Sequence, residues 1–340
     1  MSTDGDIASR KADHLRLAAS PAAQMQRSNG LEAIQLEPVA LPELSLDEID
    51  TSCHFLQKPL RQPLLIASMS GGVAAAERLN SMLASAAEAA GVALGLGSMR
   101  IALDSPQAAA TFNLRRQAPS IPLLANLGAT QLLEHGGVAR ALRCVDIAAA
   151  DALIIHLNPL QEAIQPGGNT DWRGVAAALA QLVNASAVPV IVKEVGHGIG
   201  PATARRLLEL GIVWVDVAGA GGTSWAGIEQ QRSEGSRPTP FHDFGISLTQ
   251  SLQAIEADPV LSGRLRLIAS GGIRSGLDVA KCLRLGATLA SAAQPFLLAA
   301  QTGEQALHDL LATWQRELAI TCLCTGSASL AGLRTAALLS

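Results

Sequence analysis

The segment ALIIHLN (152–158) places four apolar residues, two of them β-branched, directly before His156, Leu157 and Asn158. A short run of this kind has the length and composition of a strand buried on both faces, as in a parallel sheet. It then stops in polar side chains. With Gln161 and Glu162 in the following PLQEAIQPGG (159–168), four such groups fall within seven residues. Polar groups are costly inside a sheet, so a strand that ends this way opens onto a ligand or a metal. An ordinary strand end whose His and Asn bond local backbone is the alternative.

Seven further segments share the pattern: PLLIASM (63–69), VALGLGS (92–98), IPLLANL (121–127), PVIVKEV (189–195), IVWVDVA (212–218), RLIASGG (266–272) and ATLASAA (287–293). Ala/Leu-rich stretches with helical periodicity separate most of them, such as AAERLNSMLASAAEAA and PATARRLLELG. Parallel strands need crossover helices, so eight alternating units predict an α/β fold of the (β/α)8 TIM-barrel type. A doubly wound open sheet is the competing architecture, and no GxGxxG opens the first βα unit to support it. Residues 1–60 read as a polar, irregular N-terminal extension broken by Pro38, Pro42 and Pro59. Residues 61–340 read as the barrel with a C-terminal helical tail, a single domain overall. About fifty residues part the sixth and seventh strands and include EQQRSEGSRPTP (229–240). Such an insertion lies over the catalytic face as a lid or forms a passive surface loop.

The chain has 340 residues, 49% of them hydrophobic, and 31 glycines, enough for a substantial core joined by tight turns. A net charge of −4 offers no basic footprint for nucleic acid. The five cysteines form no CxxC pair, which argues against a zinc site or a disulfide framework. No run is long enough to span a bilayer and no apolar leader opens the chain, so a cytoplasmic location is expected. Only Lys11, Lys58, Lys193 and Lys281 are lysines, which makes one inside a strand notable.

On a barrel the strand ends converge on one rim. Those ends are SMSGG (68–72), GSMR (97–100), Asn126, the His156 cluster, Lys193 with Glu194, AGAGGTSW (218–225) and SGGI (270–273). Gly271 and Gly272 let backbone amides approach an anion, and Arg274 to Asp278 opens a helix whose N-terminus favours negative charge. A phosphate cradle and a plain tight turn both fit the glycine pair; its position favours the cradle. Lys193 needs an anionic partner, either a structural carboxylate or a reduced flavin edge. Alternation sends Glu194 to the opposite face. Glu162 is a hard oxygen ligand suited to Mg²⁺, and Gln161 suits orientation by hydrogen bonding. His156 either donates to phosphate or is a satisfied core histidine.

RKADH (10–14), ASMSGG (67–72), GSMR (97–100), ANLGA (125–129), HLNPLQE (156–162), KEVGHG (193–198), AGAGGTSW and ASGGIRSGLD (269–278) together resemble the type 2 isopentenyl diphosphate isomerases. The resemblance spans residues 10 to about 298. It implies interconversion of isopentenyl and dimethylallyl diphosphate with reduced FMN and Mg²⁺, NADPH as reductant, and a homo-oligomer (tetramer or octamer) without membrane or nucleic-acid partners. It implies that Ser68, Met69, Ser70, Gly71, Ser98, Asn126 and Lys193 line the flavin ring and ribityl chain. Thr223, Gly271, Gly272, Ile273, Ala293 and Gln294 hold its phosphate. Arg10, Lys11, Ser98, Met99, Arg100, His156 and Asn158 grip the substrate diphosphate, Gln161 contacts the substrate as the catalytic side chain, and Glu162 binds the metal. The chain departs from the pattern at Ser70, Ser291, Phe244 and the PGGN turn (166–169), and it has no Tyr.

Three rivals remain. An α-hydroxy-acid oxidase needs a His base beside a late Arg, and Arg274 has no neighbouring His in the sequence. An inosinate-dehydrogenase-like enzyme needs a Cys where Thr223, Ser224 and Trp225 stand. A non-catalytic flavin-binding oligomer has little use for Gln161, Glu162 or RKADH.

Overall fold

Each of the eight apolar segments contains a strand, and the strands close into a parallel barrel. The computed structural model describes residues 4–69, 74–232 and 239–339. A hairpin comes first in the chain: β1 (Cys53–Phe55) runs antiparallel to β2 (Lys58–Leu60). The barrel strands are β3 (Leu64–Ile66), β4 (Ala93–Gly95), β5 (Leu123–Gly128), β6 (Ala152–Leu157) and β7 (Val190–Glu194), followed by β8 (Trp214–Asp216), β9 (Arg266–Ser270) and β10 (Leu289–Ala292). Neighbours pair in sequence order, and β10 pairs with β3 to complete the ring. The open-sheet alternative is thereby excluded.

Side chains alternate along each strand, so a barrel strand serves two cores. Leu153 and Ile155 belong to the large outer core beneath the helices, whereas Ala152 and Ile154 belong to a separate interior cluster. Leu65, Ala93, Leu124, Ile191, Trp214, Ile268 and Leu289 complete the interior cluster from the other seven strands. Phe55 and Leu60 of the hairpin join it, so the hairpin stoppers the N-terminal end of the barrel. Phe55 meets the Trp214 ring edge-on, with centroids 4.9 Å apart.

The surrounding helices follow from local patterning. Helix Gly137–Ala148 buries Gly137, Ala141, Cys144 and Ala148, a single stripe at helical spacing. Helix Leu248–Glu256 starts at a reciprocal capping box between Ser247 and Gln250. Helix Glu304–Cys324 forms the expected tail and buries Trp314 against Phe296. All five cysteines are free.

The N-terminal extension is less irregular than its composition predicts. Residues Asp4–Ala18 form a helix, with Leu17 and Ala18 in a small apolar cluster with Ala23, Trp225 and Ile228. Its order comes from this docking and from polar contacts described below, neither of which is local. The long insertion after β8 contains helices Trp225–Arg232 and Leu248–Glu256. Its tip, 233–238, lies outside the described residues.

Phe55→Ala should destabilise the protein by about 3–5 kcal/mol through the cavity it leaves. The readout is a lower urea midpoint at unchanged slope. A loss of only about 0.5 kcal/mol, as at an exposed position, would show that the hairpin does not seal the barrel.

Candidate active site

The same alternation that fills the lower barrel with apolar side chains makes its upper layer polar. Two residues beyond the interior positions Leu124, Ile154, Ile191, Trp214, Ile268 and Leu289 come Asn126, His156, Lys193, Asp216, Ser270 and Ser291. Above this layer opens a cavity of about 710 Å³, lined from the C-terminal ends of the strands, the following loops and the N-terminal helix.

Lys193 Nζ lies 3.3 Å from Asp216 Oδ2, across adjacent strands at paired positions. The other Asp216 oxygen accepts from Ser270 Oγ at 2.5 Å and from the Ala218 amide at 3.2 Å. The structural carboxylate is therefore present, and the Lys193 side chain also faces the cavity. Glu194 points away, as alternation requires. Its carboxylate accepts from the amides of Val195, Gly196 and His197 and so caps the turn after β7.

His156 Nδ1 lies 2.7 Å from Asn126 Oδ1. A carbonyl oxygen only accepts, so Nδ1 carries the proton and Nε2 presents a lone pair. Burial, reinforced by the Lys193 charge, holds the imidazole at about 4. The ring is thus neutral, and donation from Nε2 to a diphosphate requires uptake of a proton.

The polar cluster at the end of β6 is tied into a network. Asn158 Nδ2 donates to Gln161 Oε1 and to Glu162 Oε1, each at 3.1 Å. Gln161 Nε2 donates to Glu229 Oε1 at 3.1 Å, so the amide is fixed at both ends. Glu229 is 0% exposed and also receives His14 Nε2 at 2.8 Å and Arg232 at 2.6 Å. Burial pushes its carboxyl upward, but the bonds from His14, Gln161 and Arg232 outweigh this and hold it below the ordinary range. Glu162 Oε2 accepts from the Asn169 amide at 2.6 Å, and a Cβ on Gly168 would lie 2.1 Å from the Glu162 carbonyl oxygen. The PGGN turn therefore folds tightly against Glu162.

The glycine loops abut one another. Gly271 and Gly272 have φ of +117° and +73°, and a Cβ on either would meet a carbonyl oxygen, of Gly219 at 2.0 Å or of Gly221 at 2.1 Å. Only glycine permits this approach. Asn29 Nδ2 secures the loop through the Gly272 carbonyl at 2.8 Å. Helix Gln294–Thr302 begins without a side-chain cap, and since Pro295 has no amide and the Leu297 amide bonds the Ala293 carbonyl, the Gln294 and Phe296 amides are the ones a ligand could meet there.

Among the residues expected in the site, Lys11, Ser68, Met69, Ser98, Arg100, Asn126, His156, Asn158, Gln161, Glu162 and Lys193 line the cavity, as do Thr223, Gly271, Gly272, Ile273, Ala293 and Gln294. Met99 does not. Its amide bonds the Asn126 carbonyl at 2.8 Å and its side chain turns into the outer core. Ser70, Gly71 and the side chain of Arg10 lie outside the described residues. Lys11 Nζ donates to the Ser98 carbonyl at 3.1 Å, which brings the RKADH and GSMR motifs together. Sequence reasoning missed Asp216, Glu229 and Asn29. Asp216 carried a usable signal, a charge inside an apolar strand like Lys193; Glu229 and Asn29 carried none.

Four cations, Lys11, Arg100, Lys193 and Arg274, face the cavity, against Glu162 as the one carboxylate among its described lining residues. The described residues contain no group of three or more His, Cys, Asp or Glu that would hold a metal unaided. The site suits a flat, partly apolar ligand bearing phosphate, with further anionic groups near Lys11 and Arg100.

Comparisons with known proteins agree. The FMN-dependent dehydrogenase family matches residues 158–340. An isopentenyl-diphosphate delta-isomerase of Cronobacter sakazakii is 48% identical, over 98% of this chain and 97% of its own. Proteins of the same name from Xanthobacter autotrophicus (47% identical, 96% of this chain, 95% of its own) and a Nostoc species (44%, 96% and 94%) are also similar. Among solved structures, a mandelate oxidase variant with (S)-mandelic acid superposes with a TM-score of 0.66 at 19% identity, covering 97% of this chain and 93% of that one. A Pediococcus acidilactici lactate oxidase gives 0.66 at 16%, covering 96% and 94%. These last two likenesses establish the fold alone.

Because the unfolded imidazole titrates near 6.5 and the folded one near 4, the unfolded chain binds more protons between those values. Stability should therefore fall as pH falls through this window, by roughly 3 kcal/mol from this group. In urea titrations at several pH values, His156→Gln should flatten that part of the curve; an unchanged slope would show that His156 is not held neutral.

Proposed function

The chain belongs to the isopentenyl-diphosphate delta-isomerase family, of the FMN-dependent type 2 kind, and from that premise we propose how its site carries out the reaction. The reaction moves a double bond by a 1,3-allylic proton shift between isopentenyl and dimethylallyl diphosphate. One observation carries this reading: the Gln161–Glu162 pair and the glycine cradle open onto one cavity.

The residues present fit FMN. The Gly271–Gly272 loop leaves no room for side chains, so its backbone can approach a phosphate, and the uncapped helix at Ala293 adds amides. Ser68 Oγ is buried without a partner among the described residues, as expected of a wall that a polar ligand completes. Reduced FMN, when bound, supplies an electron-rich ring that can exchange a proton and stabilise developing positive charge.

The chain's own groups bind and orient. Lys11 and Arg100 offer charge to the substrate diphosphate, and Arg100 must exchange its contact with Glu134 (3.2 Å) to do so. His156 joins them by taking up a proton as the diphosphate arrives, and Asn158 lies beside it at the end of β6. Glu162 supplies one oxygen to Mg²⁺, with the diphosphate and water supplying the rest, the arrangement this ion favours. Gln161, locked between Asn158 and Glu229, orients the alkene for proton transfer at a fixed carbon. Anchoring the diphosphate makes that transfer effectively intramolecular. The N-terminal helix, through Lys11, His14, Leu15 and Ala18, covers the cavity and limits water.

NADPH as reductant, a homo-oligomer and a cytoplasmic location complete the proposal. No helix among the described residues is long and apolar enough to cross a membrane. The oxidase alternative lacks its His–Arg pair at the site, because among the described residues Arg274 bonds the Gly272 carbonyl and Gln24 Oε1 and no His.

Purified protein should take up FMN and, once reduced anaerobically with Mg²⁺ present, convert isopentenyl to dimethylallyl diphosphate. Consumption of a 2-hydroxy acid by the oxidised protein, with no isomerisation after reduction, would reverse the assignment. Glu162→Gln should raise the Mg²⁺ concentration needed for half-maximal rate about tenfold or more while flavin absorbance stays bound. Simultaneous loss of flavin would contradict separate metal and cofactor roles.

A further inference from the structure

Ser291, where the chain departs from the family pattern, is 0% exposed, and its hydroxyl has no hydrogen-bond partner among the described residues. It nevertheless lines the cavity. Its place on β10 sets its direction. Leu289 belongs to the interior cluster and Ala290 and Ala292 to the outer core, so Ser291 faces the barrel interior. It lies opposite Ser270 on β9. The two serines differ in one respect: Ser270 spends its proton on Asp216, whereas the Ser291 hydroxyl is unused. A buried donor left unmet by the fold is costly, and it is tolerated where something else completes it.

We propose that Ser291 donates a hydrogen bond to the ring or ribityl chain of the bound flavin and not to its phosphate. The inference rests on the FMN reading above. The phosphate cradle lies beyond the strand ends, at Gly271, Gly272 and the first amides of helix Gln294–Thr302. Ser291 sits earlier, within the strand, beside Ser270 and the Asp216 carboxylate that Ser270 contacts. The Asp216 carboxylate there is already paired with Lys193 at 3.3 Å, so the spot offers no spare positive charge to a phosphate dianion, whereas a neutral carbonyl or hydroxyl needs none.

Quenching of flavin fluorescence on titration with apoprotein measures the effect. In Ser291→Ala the dissociation constant for FMN should rise about threefold to tenfold, the range of one neutral hydrogen bond. Riboflavin, which lacks the phosphate, should weaken by the same factor. Thermal melts should show apoprotein as stable as wild type or more so, because an unmet hydroxyl is gone, together with a smaller gain in Tm on adding FMN. A merely structural serine would not shift these in opposite directions. Ser291→Cys, close in volume and a weak donor, should behave alike and serves if the alanine variant folds poorly. Unchanged affinity for both flavins would overturn the proposal and assign the hydroxyl to water. A penalty confined to FMN would overturn its placement. Wild-type protein that takes up no FMN would instead refute the cofactor reading itself.

Discussion

An ammonium group inside a barrel needs an anion beside it, and the pairing of Lys193 with Asp216 meets that need. Both side chains are largely withdrawn from water, so each charge alone would cost several kcal/mol. Asp216 is further satisfied by Ser270 and by the Ala218 amide, which leaves the lysine as the group that turns its charge toward the cavity. That charge helps to keep His156 neutral. Below this polar layer lies the apolar interior cluster, joined by Phe55 and Leu60 of the hairpin, and the cavity opens above it.

A second constraint converges on Glu229. Its carboxylate takes bonds from the N-terminal helix through His14, from the end of β6 through Gln161, and from Arg232 on its own helix. An isolated helix the length of Asp4–Ala18 is marginal in water. Docking onto Glu229, Ser98 and the Trp225–Ile228 cluster supplies what its own sequence lacks. One buried acid thereby helps to order the N-terminal helix and fixes the orientation of the Gln161 amide.

The glycine side of the cavity, proposed above to take the phosphate, is built from absence of side chains. The loops after β8 and β9 touch through Gly219, Gly221, Gly271 and Gly272 at distances that no Cβ would survive. Backbone amides are rigid and need no side-chain ordering, which would favour tight binding of the cofactor phosphate proposed to sit there. The side proposed to hold the substrate is different in kind: Lys11, Arg100 and His156 bond Ser98, Glu134 and Asn126, contacts or protons that they would exchange for a ligand that comes and goes.

The barrel was legible in the amino-acid sequence because strand length, alternation and helical spacing are local patterns, and eight repeats of them leave little topological choice. The strand-end residues were legible for the same reason, since a strand that turns polar at its C-terminal end does so on the barrel rim. Period-two alternation even separated Lys193 from Glu194 correctly. What only the tertiary structure decided were the partners: Asp216 for Lys193, Glu229 for Gln161 and His14, Asn126 for His156, and the turning of Met99 into the core. These pairs join residues from 23 to 215 positions apart, as for Lys193–Asp216 and His14–Glu229. Hydrogen bonds and ion pairs depend on atoms within about 3 Å, a proximity set by ring closure and carried by no local pattern.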